Sequence, residues 1–113
     1  MPLYLVATPL GHLGDVSQRV RETLQAADII AAEDTRRTAS LLQLLDLPST
    51  TLRSYYDQNE VQRTPELISA LQSGLNVALV SDAGTPSVSD PGLVLVREAI
   101  REGLPIVPVP GPS

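Results

Sequence analysis

Asn76-Val77-Ala78-Leu79-Val80-Ser81-Asp82-Ala83-Gly84-Thr85-Pro86-Ser87-Val88-Ser89-Asp90-Pro91-Gly92 is the stretch whose reading decides the fold. Its first part is a short, unbroken apolar run of the kind found in a strand buried on both faces. Its second part holds two carboxylates, four hydroxyls and two glycines within residues 81–92. That is more polar capacity than a simple turn needs. Asp90-Pro91 then supplies a capping carboxylate and a proline at the first helical position. A buried strand, a loaded loop and a helix in that order form half of a βαβ unit.

The same alternation extends in both directions. Leu3-Tyr4-Leu5-Val6-Ala7 predicts a first buried strand, followed by turn chemistry at Thr8-Pro9-Leu10-Gly11-His12-Leu13-Gly14-Asp15. Val16, Val20, Leu24 and Ala27 recur at helical spacing, with Asp15 or Ser17 available as the cap. Residues 28–32 predict a second strand that ends at Glu33-Asp34-Thr35-Arg36-Arg37-Thr38, and Leu41, Leu42 and Leu45 mark a helix running to Pro48. Residues 50–55 carry a weaker strand signal. Thr64-Pro65 predicts the start of the next helix, with Leu67, Ile68 and Leu71 as its buried stripe and Gly74 as its stop. The helix after Asp90 is expected to bury Leu93, Val96 and Ile100 and to close at Gly103. A fifth strand covers residues 104–109, where Pro105, Pro108 and Pro110 predict irregularity or an edge position.

The order β-α-β-α-β-α-β-α-β with short connections predicts an α/β, doubly wound, mainly parallel five-stranded sheet flanked by helices. Right-handed crossovers then bring every strand-to-helix loop to one edge of the sheet, where ligands collect in such folds. The loops at 8–15, 33–38, 55–60, 81–92 and 110–113 are therefore expected to face one crevice.

Composition narrows the function classes. The chain has 113 residues, enough for one domain with a sizeable core, and 42% of them are hydrophobic. Three tyrosines with no Phe or Trp leave the core to Leu, Val, Ile and Ala. Eight arginines occur with no lysine, and the net charge is -5. An acidic surface disfavours nonspecific nucleic-acid binding. Without lysine there is no Walker-type phosphate loop, and no Gly-x-Gly-x-x-Gly follows the first strand. One histidine and no cysteine give no metal-ligand spacing, so no metal site is expected. The absence of cysteine suits a reducing compartment, and neither a signal peptide nor an apolar run of membrane-spanning length is apparent, so a cytoplasmic protein without membrane association is expected.

Four segments carry a family resemblance: Thr8-Pro9-Leu10-Gly11-His12-Leu13-Gly14-Asp15, Ala32-Glu33-Asp34-Thr35-Arg36, Ser81 to Pro86 with Asp90-Pro91-Gly92, and Pro110-Gly111-Pro112-Ser113. In this order and over essentially the whole chain, they resemble the tetrapyrrole-methylase superfamily. Within it, the second motif resembles the branch that methylates the ribose 2′-hydroxyl of a cytidine in small-subunit ribosomal RNA. His12 departs from the pattern, which usually has Asn. The resemblance implies S-adenosylmethionine as cofactor, a homodimer, and small-subunit ribosomal RNA as partner. It also implies that residues 1–113 are an N-terminal α/β domain, inactive alone, with the C-terminal domain absent from this chain.

By the same resemblance, Pro9, Asp82, Ala83, Gly84, Thr85, Pro86 and Ser113 would contact the cofactor. Asp34 and Arg36 would serve catalysis on the substrate side, with Arg36 and Arg37 reaching RNA phosphate. The plainer reading of Asp34 is a helix-start carboxylate, and that of Asp90 a helix cap. Asp82 fits a loop brace as well as a cofactor contact. His12 fits a solvated loop residue as well as a base. Two other functions suit the same residues: a precorrin-type tetrapyrrole methylase, and a non-catalytic α/β module that binds a nucleotide or a protein.

Overall fold

A computed structural model describes residues 2–8, 17–48, 51–56, 58–81 and 90–109, the side chains of Asp90 and Pro91 excepted. The strands are β1 (Leu3–Ala7), β2 (Ile29–Ala32), β3 (Leu52–Ser54), β4 (Val77–Ser81) and β5 (Ile106–Val109). The helices between them are α1 (Gln18–Ala26), α2 (Thr35–Leu44), α3 (Glu60–Gln72) and α4 (Asp90–Arg101). The sheet order is β3-β2-β4-β1-β5, and every pairing is parallel. The doubly wound parallel sheet expected from the alternation is the fold observed.

Strand periodicity explains how two cores form from so short a chain, since successive side chains point to opposite faces. Val6, Ile30, Ala32, Ala78, Val80 and Val109 meet Val20 and Leu24 of α1 and Leu41 and Leu42 of α2 on one face. Leu3, Ala31, Val77 and Leu79 meet Leu67, Ile68 and Leu71 of α3 and Leu95 and Ala99 of α4 on the other. The chain therefore leaves β1 and β2 toward one face, and β3 and β4 toward the opposite face.

The edges follow from local chemistry. β5 pairs only with β1, as its prolines predict. The Leu3 N–H donates to the Pro105 carbonyl at 2.9 Å, so residues 105, 107 and 109 direct their backbone groups at β1. Pro108 points the other way, where its missing N–H costs nothing. β3 is the opposite edge, and its three residues account for the weak signal. At the amino edge Asp28 and Asn76 tie β2 to β4: the Asn76 N–H donates to Asp28 Oδ2 at 2.7 Å, and the Asp28 N–H donates to the Asn76 carbonyl at 2.8 Å.

Two sequence expectations are corrected. α3 begins at Glu60, a turn before Thr64-Pro65, and Pro65 lies inside it. Thr64 does not cap the helix because its hydroxyl is buried against Tyr55, Oγ1 to Oη 2.7 Å. Asn59 holds the turn instead, its Oδ1 accepting the Tyr56 N–H at 2.9 Å and its Nδ2 donating to Ser54 Oγ at 3.0 Å. In α4 the buried apolar side chains among the described residues are Leu95 and Ala99, with Val96 packed beside them, whereas Leu93 is 38% and Ile100 63% exposed. Residues 93–96 are all apolar, so periodicity leaves the phase of this helix open, and contact with α3 and the sheet selects it.

Helix ends obey capping rules. Ser17 caps α1, accepting the Val20 N–H at 3.1 Å; Asp15 lies outside the described residues. α3 and α4 end in paired bonds, Gly74 N–H to Leu71 and Leu75 N–H to Ala70, then Gly103 N–H to Ile100 and Leu104 N–H to Ala99. The glycines have φ of 94° and 71°, as this left-handed termination requires. α2 ends in the same bond pattern, Asp46 N–H to Gln43 and Leu47 N–H to Leu42, but with a side chain at the left-handed position, φ 60°. The Arg21 guanidinium donates to the Leu45 carbonyl at 2.9 Å and steadies that end.

Asp46→Gly removes the steric cost of a Cβ at positive φ and is expected to raise stability by about 0.5–1 kcal/mol, read as a higher urea midpoint. An unchanged or lower midpoint contradicts this account. Tyr55 is 2% exposed, and burial raises its pKa above 10.0; the Thr64 hydrogen bond opposes the shift, Glu60 adds to it, and a Leu95 backbone bond opposes it. The folded protein thus holds this proton more tightly than the unfolded chain. Its contribution is complete below the unfolded tyrosine pKa and is lost as pH rises through the folded one. Above pH 10.0, wild-type stability should therefore fall more steeply with pH than that of Tyr55→Phe, as measured by denaturant titrations. Equal slopes would remove Tyr55 as the cause.

Candidate functional site at the carboxyl edge of the sheet

With all strands parallel, their carboxyl ends lie along one edge in the order Ser54, Ala32, Ser81, Ala7, Val109. Registers set the neighbours: Ala32 lies opposite Val80, Ala7 opposite Ser81, and Val6 opposite Val109. The chain next passes to opposite faces from neighbouring strands, toward α2 from β2, α4 from β4 and α1 from β1. Strand ends from which the chain turns to opposite faces are the usual place for a ligand in an open α/β sheet.

The described side chains along this edge form a defined set. Asp34 is the N-cap of α2, its Oδ1 accepting the Arg37 N–H at 3.1 Å. Glu33, Asp34, Arg36 and Arg37 are all exposed. Asp34 and Arg36 follow β2 directly and so stand next to the exit of β4. The capping role that helix chemistry assigns to Asp34 is thus realised, on a carboxylate that still faces solvent. Beyond it, the Ser54 carbonyl accepts from Arg63 Nε at 3.0 Å, and Arg63 also pairs with Glu66 at 3.0 Å. These bonds brace the exit of β3.

At the centre, Thr8 binds the end of β4 twice. Its N–H donates to the Ser81 carbonyl at 2.8 Å, and its hydroxyl donates to the same oxygen at 3.0 Å. Thr8 is only 3% exposed. In the sequence, Thr8 reads only as the first residue of a turn. The available signal was a hydroxyl at the end of an apolar strand and directly before a proline.

Pro9, Asp82, Ala83, Gly84, Thr85, Pro86 and Ser113, expected at the cofactor, lie outside the described residues, as does His12. α4 starts at Asp90, the residue expected to cap it. No group of three or more His, Cys, Asp or Glu side chains able to hold a metal occurs among the described residues. Among them no helix is long and apolar enough to cross a membrane. A cavity of about 410 Å³ lies between α3 and α4, lined by Val61, Pro65, Ile68, Val94, Glu98 and Glu102 among others. It belongs to the outer helical face, apart from the Thr8–Ser81 junction.

Asp34→Ala is expected to destabilise the protein by about 1 kcal/mol, through loss of the cap. Asp34→Asn retains a capping oxygen and should stay within a few tenths of wild type. Thermal melts of the pair test this, and equal losses would contradict a capping role.

Comparison with known proteins fits this geometry. Residues 2–113 match the family model of tetrapyrrole (corrin/porphyrin) methylases. The chain is 53% identical over 109 residues to a protein of Synechocystis named ribosomal RNA small subunit methyltransferase I, covering 96% of this chain and 39% of that protein. It is 55% identical over 111 residues to the protein of that name from Mesorhizobium japonicum, covering 98% and 37%. The match to the Escherichia coli O157:H7 protein of that name is 52% over 110 residues, covering 97% and 38%. The chain thus spans well under half the length of these curated relatives. Uroporphyrin-III-C-methyltransferase from Thermus thermophilus shares the fold at a TM-score of 0.71 and 24% identity, over 99% of this chain and 47% of that one. A conserved hypothetical protein from Aeropyrum pernix K1 does so at 0.73 and 20%, over 99% and 39%. With a parallel doubly wound sheet and a family match over nearly its full length, the chain belongs to the tetrapyrrole methylases.

Proposed function

We propose that this chain is the N-terminal domain of an S-adenosylmethionine-dependent methyltransferase acting on the ribose 2′-hydroxyl of a cytidine in small-subunit ribosomal RNA. The observation that carries the reading is the adjacency of β4, β1 and β5. The segments holding Pro9, Asp82 to Pro86 and Ser113 continue from these three neighbouring strand ends, so one ligand at that edge can meet all of them. The names of the relatives support ribosomal RNA as the substrate.

The residues present fit a cationic methyl donor. The described acids at this edge, Glu33 and Asp34, are exposed carboxylates, and the described residues that join the ends of β1 and β4, Thr8 and Ser81, carry no charge. When bound, S-adenosylmethionine supplies an electrophilic methyl group on a sulfonium sulfur. The ribose oxygen would bond to that methyl as the carbon–sulfur bond breaks, the electron pair staying on sulfur and the hydroxyl proton passing to solvent water. Holding the reactants in line accounts for several kcal/mol of the barrier, on the order of what orientation supplies in other enzymes.

Asp82 and the backbone of residues 83–86, with Pro9 and Ser113, hold the donor. Asp34, fixed by its bond to the Arg37 N–H, keeps lone pairs for a ribose hydroxyl and orients the acceptor. Arg36, exposed at the first turn of α2, meets an RNA phosphate.

Two measurements on the full-length protein test this. Calorimetry with S-adenosylmethionine should show binding; no heat at millimolar donor rules the donor site out. Transfer of labelled methyl to assembled small subunits should fall at least tenfold in Asp34→Asn. In Arg36→Ala it should weaken through KM, with the log–log salt slope reduced by about one. Undiminished transfer by both variants refutes the substrate-side assignment.

A further inference from the structure

We propose that Thr8 is a positioning residue for the methyl-donor site, holding the exits of β1 and β4 at a fixed separation through its hydroxyl. The inference rests on the donor-site reading above. Its basis is the pair of bonds from Thr8 to one acceptor, the Ser81 carbonyl, at 2.8 Å from N–H and 3.0 Å from Oγ1. A carbonyl oxygen has two lone pairs, and Thr8 supplies a donor for each.

The location makes the second bond matter. β1 and β4 are central neighbours, and beyond them the chain departs to α1 on one face and α4 on the other. Thr8 and Ser81 form the last rung between these strands among the described residues. The hydroxyl adds a second donor from a different direction and sets the carbonyl plane of Ser81, the residue that leads into Asp82. Since Thr8 is 3% exposed, water does not readily replace the hydroxyl.

The stability cost of losing this one bond is ordinary. Its functional cost is larger, because donor groups on the two exits must meet one ligand together, and a displacement of about 1 Å at a site of this kind is felt strongly.

The test is donor affinity of the full-length protein, by calorimetry with S-adenosylmethionine, alongside a thermal melt. Thr8→Val, which keeps shape and removes the hydroxyl, should weaken binding about tenfold while the protein remains folded. Thr8→Ser restores the donor and should bind within about twofold of wild type. If Thr8→Val fails to fold, Thr8→Ala serves the same purpose without setting a methyl group against the Ser81 oxygen. Thr64→Val is the control, since Thr64 is the buried hydroxyl paired with Tyr55. It should lower the melting temperature and leave donor affinity unchanged.

Wild-type affinity in Thr8→Val or Thr8→Ala overturns the proposal. So does equal weakening in Thr8→Ser, or equal weakening in Thr64→Val, which would reduce the effect to general stability. Absence of binding by the wild type would instead overturn the donor-site reading, so the two failures are told apart by the wild-type titration.

Discussion

Burial of β1 and β4 on both faces is the constraint on which the rest of the molecule depends. Leu3, Val6, Ala7, Val77 and Ala78 have no exposed surface; Val6 and Ala78 face one core, and Leu3 and Val77 face the other. The sequence has no Phe or Trp, and although its composition pointed to a purely aliphatic core, the Tyr55 ring is buried in the second one; the remaining space in each is closed by aliphatic side chains of helices packed near the sheet. Ala31, Ala32, Ala78 and Ala99 let the backbones approach, while Leu and Val of the helices fill the space. Each fully buried Leu or Val contributes about 1.5–3 kcal/mol. A register slip of one residue would exchange the two side-chain sets of a strand, so the alternating burial itself enforces pairing.

Polar bonds at the two ends of the central strands complete this register. Asp28 and Asn76 join β2 and β4 at the amino edge, and Thr8 joins β1 to β4 at the carboxyl edge. β4 is thus tied to both neighbours by side chains as well as backbone. Tyr55 and Thr64 do similar work on one outer layer, linking the end of β3 to α3 through hydroxyls in an otherwise apolar core. No buried side-chain polar atom lacks a partner among the described residues. Polar groups therefore enter this fold at strand ends and helix starts, where direction matters more than burial.

At the candidate site one residue serves structure while remaining open to chemistry. Asp34 caps α2 with one oxygen and stays exposed, and Arg36 stands on the same first turn. A carboxylate at a helix start is held in orientation by the helix itself, which suits it to orient a substrate group. That arrangement explains why the structural and the functional readings of Asp34 do not compete. In the proposed reading the family match points to the class of chemistry, and the capped carboxylate is the fixed group it would use.

Some of this was settled by local sequence. Unbroken apolar runs at 3–7 and 77–80, caps at Ser17 and Asp34, and stops at Gly74 and Gly103 report short-range chemistry, which sequence records directly. Their alternation determined the fold class and the edge on which the site would lie, and the motifs at 8–15, 32–36, 81–92 and 110–113 indicated the family. Other features arose only from contacts between distant segments. Strand order put β4 between β1 and β2, the facing of α3 turned Leu95 rather than Leu93 inward, and Tyr55 claimed the Thr64 hydroxyl that would have capped a helix. The Thr8 bond to Ser81 spans 73 residues of chain. A side chain's preference is local, but its partner is whatever packing brings within about 3 Å, and packing is decided by the whole fold.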